Sequence, residues 1–178
     1  MERRRWARLL GWTVVLLYVG ATRAQAQYRG QVAVGLGPTV VAPAEADTPA
    51  GPGLNGHISF FLSHRWSVSL RAGVFRTGGD GTRLRESFVG ADFGLHFDMG
   101  RWHPFFQAGV HVYEVHFRSS GQATPREKST DPGLQFGVGL EYFLRPTLGL
   151  RLTLEGHNVL SELDASFIEL NTTVRFYF

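Results

Sequence analysis

The chain has no cysteine, and after its first 26 residues no apolar run approaches 18 residues. The first absence excludes a disulfide framework and a thiolate metal centre. The second excludes a membrane-spanning helix, which needs about 20 consecutive apolar residues. Nor is there an internal repeat, a low-complexity tract or an interdomain linker in the 178 residues, a length that suggests one domain. Charge is sparse at 19%, and its excess is misplaced for nucleic-acid binding: residues 1–26 hold five Arg and one Glu, a net of +4, against +3 for the whole chain, which leaves −1 for the remainder. The basic balance belongs to the leader and carries no nucleic-acid footprint.

That leader has three parts in a telling order. Arg3, Arg4, Arg5 and Arg8 precede an apolar stretch from Leu9 to Gly20, and Ala24-Gln25-Ala26 reads as an A-x-A cleavage site. The order is that of a secretory signal peptide, and the apolar stretch is too short for a membrane anchor. The expected division is a signal peptide over 1–26 and a β-barrel domain over 27–178, with Gln27 as the mature N-terminus.

What the mature chain does have is glycine (22 residues in the whole chain), phenylalanine (14) and period-two alternation. Leu54, Gly56, Ile58, Phe60 and Leu62 alternate with Asn55, His57, Ser59, Phe61 and Ser63. Trp66, Val68, Leu70, Ala72 and Val74 oppose Ser67, Ser69, Arg71, Gly73 and Phe75, and Leu148, Leu150, Leu152 and Leu154 oppose Gly149, Arg151, Thr153 and Glu155. Alternation at 180° per residue is a strand signal, whereas a helix repeats at i, i+3 and i+4. Eight such segments are expected. In the fifth, roughly Pro104 to Arg118, the apolar parity changes from Val112 to Tyr113, which predicts a β-bulge. The connections alternate in length. Ala42–Gly53, Thr77–Arg85, Ser119–Pro132 and roughly Leu160–Ala165 are long, while those near His64-Arg65, Gly100–His103 and Arg145-Pro146 are short. Long loops on one side and tight turns on the other are the pattern of outer-membrane barrels, with the turns periplasmic.

The mature chain resembles the small OmpA/OmpX-type outer-membrane β-barrels over essentially its full length. The resemblance is one of pattern, and its most specific part is Thr173-Val174-Arg175-Phe176-Tyr177-Phe178. Val174, Phe176 and Phe178 look like the terminal signal by which the family is recognised for assembly. The resemblance implies an all-β fold, an eight-stranded antiparallel up-and-down transmembrane barrel, monomeric and placed in the outer membrane. It also implies outer-membrane lipid, the barrel-assembly machinery and periplasmic chaperones as partners, with the partner of the extracellular loops left open. The expected architecture is the barrel alone, without the periplasmic peptidoglycan-binding domain of the larger OmpA type, so an envelope-tethering role is not carried over.

The polar parity carries the candidate site. His57, Arg71, Asp92, His111, Glu141, Arg151, Glu155 and Arg175 share the inward set and are expected to form a structural network in the lumen. A tight turn that sets Leu144 opposite Leu148 predicts Glu141 opposite Arg151, with His57 near Arg71 and Asp92 near His111. His57, His96, His111 and His157 stand on separate segments without ligand spacing and read as lumen filler. Lipid A-modifying enzymes occur among small barrels, and the nearest nucleophile–base set is His157, Ser161 and Glu162. However, Val159 stands where the deacylases carry Ser, two residues after His. The expectation is a non-enzymatic barrel without cofactor or metal, serving a structural or surface-loop binding and adhesion role. The alternatives are a small-solute pore, a lipid A-modifying enzyme and a soluble lipocalin-like barrel whose apolar face would point inward.

Overall fold

A computed structural model describes residues 29–44, 49–77, 82–119, 128–160 and 166–178, so the expected leader lies outside the described residues. Within them are eight strands: β1 (Val32–Pro43), β2 (Gly51–Phe61), β3 (Trp66–Thr77), β4 (Thr82–His96), β5 (Trp102–Ser119), β6 (Lys128–Arg145), β7 (Leu148–Val159) and β8 (Phe167–Tyr177). Each pairs antiparallel with the next, and β1 pairs with β8 to close the barrel. Closure leaves no strand edge with unpaired backbone groups.

Side-chain parity divides this wall into two chemically opposite faces. Leu36, Leu70, Val110, Phe136 and Leu152 stand outward, each at least half exposed, whereas Arg175, Glu141 and Glu169 point inward at 0% exposure. A water-soluble barrel would do the reverse. The outward face suits hydrocarbon, and it overturns the lipocalin-like alternative.

Strand length sets which end protrudes. A bilayer-spanning strand needs about 9–11 residues. β1, β2, β3, β7 and β8 have 11 or 12, but β4 has 15 and β5 and β6 have 18 each. The surplus lies at the long-loop end, where Pro43, Pro52, Pro132 and Thr82–Arg85, all expected in loops, belong to strands. At the other end the connections are tight. In one of them Gly100 adopts φ 77, a left-handed conformation glycine enters without a Cβ clash, and its N–H donates to Asp98 Oδ1 at 2.9 Å.

Two register expectations are corrected. The bulge expected in β5 is absent: its pairing with β4 runs without a shift from Thr82↔Ser119 to His96↔Phe105. The apolar residues past Val112 keep parity, so Tyr113 and Val115 point inward and are buried. The change of apolar phase marks the point where the strand leaves the lipid and its interior becomes the apolar side. The irregularity falls instead in β6, between Phe143 and Arg145, so Arg145 rather than Leu144 pairs with Leu148.

The aromatic residues near the short turns form a band. Trp66 stacks on Phe93 at 4.9 Å between ring centres, Trp102 lies against Tyr142 at 4.5 Å, and Phe97 meets Phe106 edge-on at 6.0 Å. The amphipathic Trp and Tyr rings of this band suit the level where hydrocarbon gives way to water.

Candidate functional site

Eight strands enclose an interior that side chains just fill, so the residues with inward parity decide whether anything passes. Inward glycines allow large partners to fit. A Cβ on Gly90 would strike the His111 ring, one on Gly139 the Phe105 ring, and one on Gly149 would lie 2.5 Å from Glu141 Oε1. The abundance of glycine is thus largely a matter of room in the lumen.

The filling is layered. Toward the loops, Val41, Phe75, Phe88, Tyr113, Val159 and Phe167 form an apolar cluster. Toward the periplasmic turns, Ala33, Phe61, Phe143 and Tyr177 form another. Ion pairs and amides lie between them. Glu155 and Glu169 are direct cross-strand partners on β7 and β8, a like-charge pairing that is unfavourable by itself. Arg71 reaches across from β3 and resolves it, pairing with Glu155 and standing 3.4 Å from Glu169. Asn55 Nδ2 donates to Glu169 at 2.7 Å, while Asn171 and Gln107 donate to Glu155 at 2.8 and 3.1 Å. Gln107 in turn accepts from Arg151, whose guanidinium lies 3.6 Å over the Phe105 ring.

The histidines join this filling. His111 Nε2 is 2.9 Å from Asp92 Oδ1, and Tyr113 Oη is 2.7 Å from His157 Nδ1. His157 Nε2 faces Glu169 at 3.1 Å and Glu155 at 3.4 Å. Nearer the periplasm Arg175 pairs with Glu141 at 2.7 Å, and Tyr177 donates its hydroxyl hydrogen to the same carboxylate. The space left among His57, Arg71, Asp92, Gln107 and Arg151 amounts to about 10 Å³, roughly the room for one water.

All eight residues singled out in the sequence lie in this interior and are buried. Glu141 and Arg151 are backbone partners, yet their side chains part: Glu141 turns to Arg175 and Arg151 to Gln107. His57 is the backbone partner of Arg71 without an ion pair between them. Asp92 and His111 are bonded along a diagonal, since their direct partners are Gly109 and Gly90. Sequence reasoning left Glu169, Gln107, Asn55, Asn171, Tyr113 and Tyr177 out of the network. Inward parity was the available signal for all of them except Tyr113, which the expected bulge in β5 turned to the other face.

Glu155, His157 and Glu169 offer ligand atoms within 4.8 Å of one another, the spacing of a metal site. Arg71 already lies on both carboxylates, and a guanidinium there competes with any ion. Ser161 and Glu162 lie outside the described residues, while His157 points into the barrel and away from lipid. Of the terminal set, Val174 and Phe176 face outward at 42% and 51% exposure, next to half-buried Phe178.

Comparison with known proteins gives a consistent result. The outer membrane protein beta-barrel domain family matches residues 12–176. No curated protein matches the sequence. Among solved structures, Ail, the attachment invasion locus protein of Yersinia pestis, is 16% identical with a TM-score of 0.63, covering 84% of this chain and 99% of its own. The N-terminal β-barrel domain of Pseudomonas aeruginosa OprF is 16% identical at a TM-score of 0.66, covering 85% and 100%. Neisserial surface protein A is 14% identical at 0.67, covering 83% and 96%. At these identities the likeness establishes the fold alone. Ail also has a structure in complex with the heparin analogue sucrose octasulfate.

Proposed function

The chain belongs to the outer membrane protein beta-barrel domain family, and from that premise we propose that it is a closed, non-enzymatic barrel acting through its extracellular end. The observation that carries this reading is the filled lumen. Two apolar clusters bracket a hydrogen-bonded ion-pair layer, and the cavity bounded by His57, Arg71 and Arg151 within it is about 10 Å³. A hydrated solute needs a continuous path far wider than one water, so the small-solute pore is disfavoured. Catalysis on lipid by the Glu155, His157 and Glu169 cluster is disfavoured too, because that cluster points inward while substrate would lie against the outer wall.

What remains available to partners is the end where β4, β5 and β6 continue past the membrane. The wall and its polar interior serve as a rigid mount for that surface. Sucrose octasulfate bound to Ail supports a surface that takes polar extracellular ligands. The inward set His57, Arg71, Asp92, His111, Glu141, Arg151, Glu155 and Arg175 has a structural role here: it holds the wall closed. Val174, Phe176 and Phe178 serve recognition during assembly.

Planar-bilayer recording of the purified protein tests the closed lumen. The expected trace shows no steady single-channel conductance. A large, steady open level in every active membrane would overturn the reading and restore the pore.

A further inference from the structure

The outer wall is neutral around most of the barrel. On the outward face of β1, β2, β7 and β8 no charged residue occurs among the described residues. The described charges of the outer strand faces gather on one side, at the extracellular ends of β3 to β5. There the register sets Arg76 opposite Arg85, and Arg85 opposite His116. One line across three strands therefore carries Arg, Arg and His in succession.

The line stands just above the hydrocarbon. Two rungs below it run Ala72, Val89, Val112 and Pro132, all outward and exposed. Four residues of strand rise about 13 Å, or about 10 Å along the membrane normal at the usual tilt. That is head-group height on the extracellular side. The rung between holds Ser87 and Glu114, and Glu114 contacts His116 at 2.5 Å.

Arg76 and Arg85 are directly opposed like charges, which destabilise a strand pair unless an anion lies between them. Inside the barrel the equivalent conflict between Glu155 and Glu169 is resolved by Arg71. Outside, neither Arg76 nor Arg85 has an ion pair with a described residue. Two adjacent guanidinium forks, continuous with an apolar face, are the donor set for a phosphate that carries acyl chains.

We infer that the Arg76–Arg85 pair, continued by His116, is a binding site for the phosphorylated acyl-disaccharide anchor of an outer-leaflet glycolipid. Its phosphate lies on the two guanidinium groups and its chains lie against Val89, Val112 and their neighbours. The site depends on the orientation of the barrel in the outer membrane and not on whether the lumen is closed. A conducting barrel would leave it intact.

The test uses the full chain folded in detergent micelles, with binding of bis-phosphorylated lipid A compared with the same lipid after dephosphorylation. Folding of each variant is checked by heat-modifiable migration on gels. The phosphorylated lipid is expected to bind at least about tenfold more tightly than the dephosphorylated one, since charge-assisted hydrogen bonds are lost with the phosphates. R76Q/R85Q is expected to abolish that preference, while R65Q/R101Q, which removes two exposed arginines at the periplasmic turns, retains it. The comparison of the two lipids on the unaltered chain needs no variant, so a folding defect in R76Q/R85Q leaves the inference testable. Equal affinity for both lipids overturns it. So does equal loss in the two double variants, or binding of soluble sucrose octasulfate through Arg76 and Arg85 with no phosphate-dependent binding of lipid.

Discussion

Replacing Glu155 with alanine tests how far the ion-pair layer holds the barrel. Glu155 is 2% exposed and receives Arg71, Asn171 at 2.8 Å and Gln107 at 3.1 Å. Hydrogen bonds to a charged group contribute about 1.5–3 kcal/mol each, but they do not simply add, because the carboxylate's own desolvation cost disappears with it. The larger effect falls on Arg71, which is 4% exposed and left with Glu169 at 3.4 Å. Breaking a buried pair by removing one partner costs about 3–5 kcal/mol. Because Glu169 is already within reach, the expected loss lies near the lower end, about 3 kcal/mol. Removing both charges in Glu155→Leu/Arg71→Met is expected to be less damaging than the sum of its single variants by at least about 1 kcal/mol, since apolar residues replace a buried pair at little cost. Reversible urea unfolding from lipid vesicles measures this, with Trp66 and Trp102, 40% and 50% exposed on the outer wall, as fluorescent reporters. A loss below about 1 kcal/mol in Glu155→Ala, or strict additivity in the double variant, would refute the reasoning.

Other perturbations address the wall and the leader. Leu152→Arg, at a site 50% exposed toward lipid, is expected to cost about 2–4 kcal/mol, and Thr130→Arg, outward but above the apolar rows, within about 1 kcal/mol; the same unfolding assay compares them. Gly90→Val drives a side chain into the His111 ring and to 2.5 Å from the Val110 carbonyl, an overpacking expected to cost about 1–3 kcal/mol. N-terminal sequencing of protein extracted from outer membranes is expected to begin at Gln27, and retention of the stretch from Trp6 to Tyr18 would contradict export through a cleaved leader.

Much of the architecture was legible because parity is a local property. Once Leu150 faces outward, Arg151 faces inward, and the tight turn after β6 brings Tyr142 to Leu150 and Glu141 to Arg151 in the observed register. The same logic failed where a residue's environment changes along the strand. Tyr113 and Val115 looked like a slipped phase because apolar was equated with outward, which holds only inside the bilayer. Strand ends were misjudged because Pro43, Pro52 and Pro132 suggest loops by composition, yet each belongs to a strand. The lumen contacts were the least legible. Glu141 chose Arg175 over its direct neighbour, and Arg71 found Glu155 from the opposite wall. Such pairs depend on the barrel's diameter and on the space that glycines such as Gly149 leave, and neither is written in any two adjacent strands.

The absence of cysteine allows the central claim to be tested by single-cysteine scanning along β7, from Leu148 to Val159. The folded protein in vesicles is exposed separately to a water-soluble maleimide and to a lipid-phase thiol reagent. With apolar residues against hydrocarbon and a filled lumen, positions 150, 152 and 154 are expected to react with the lipid-phase reagent alone, and 151, 153 and 155 with neither. Labelling of 151, 153 and 155 by the aqueous reagent would show an open channel, and aqueous labelling of 150, 152 and 154 would show that this face does not meet lipid; either result contradicts the account.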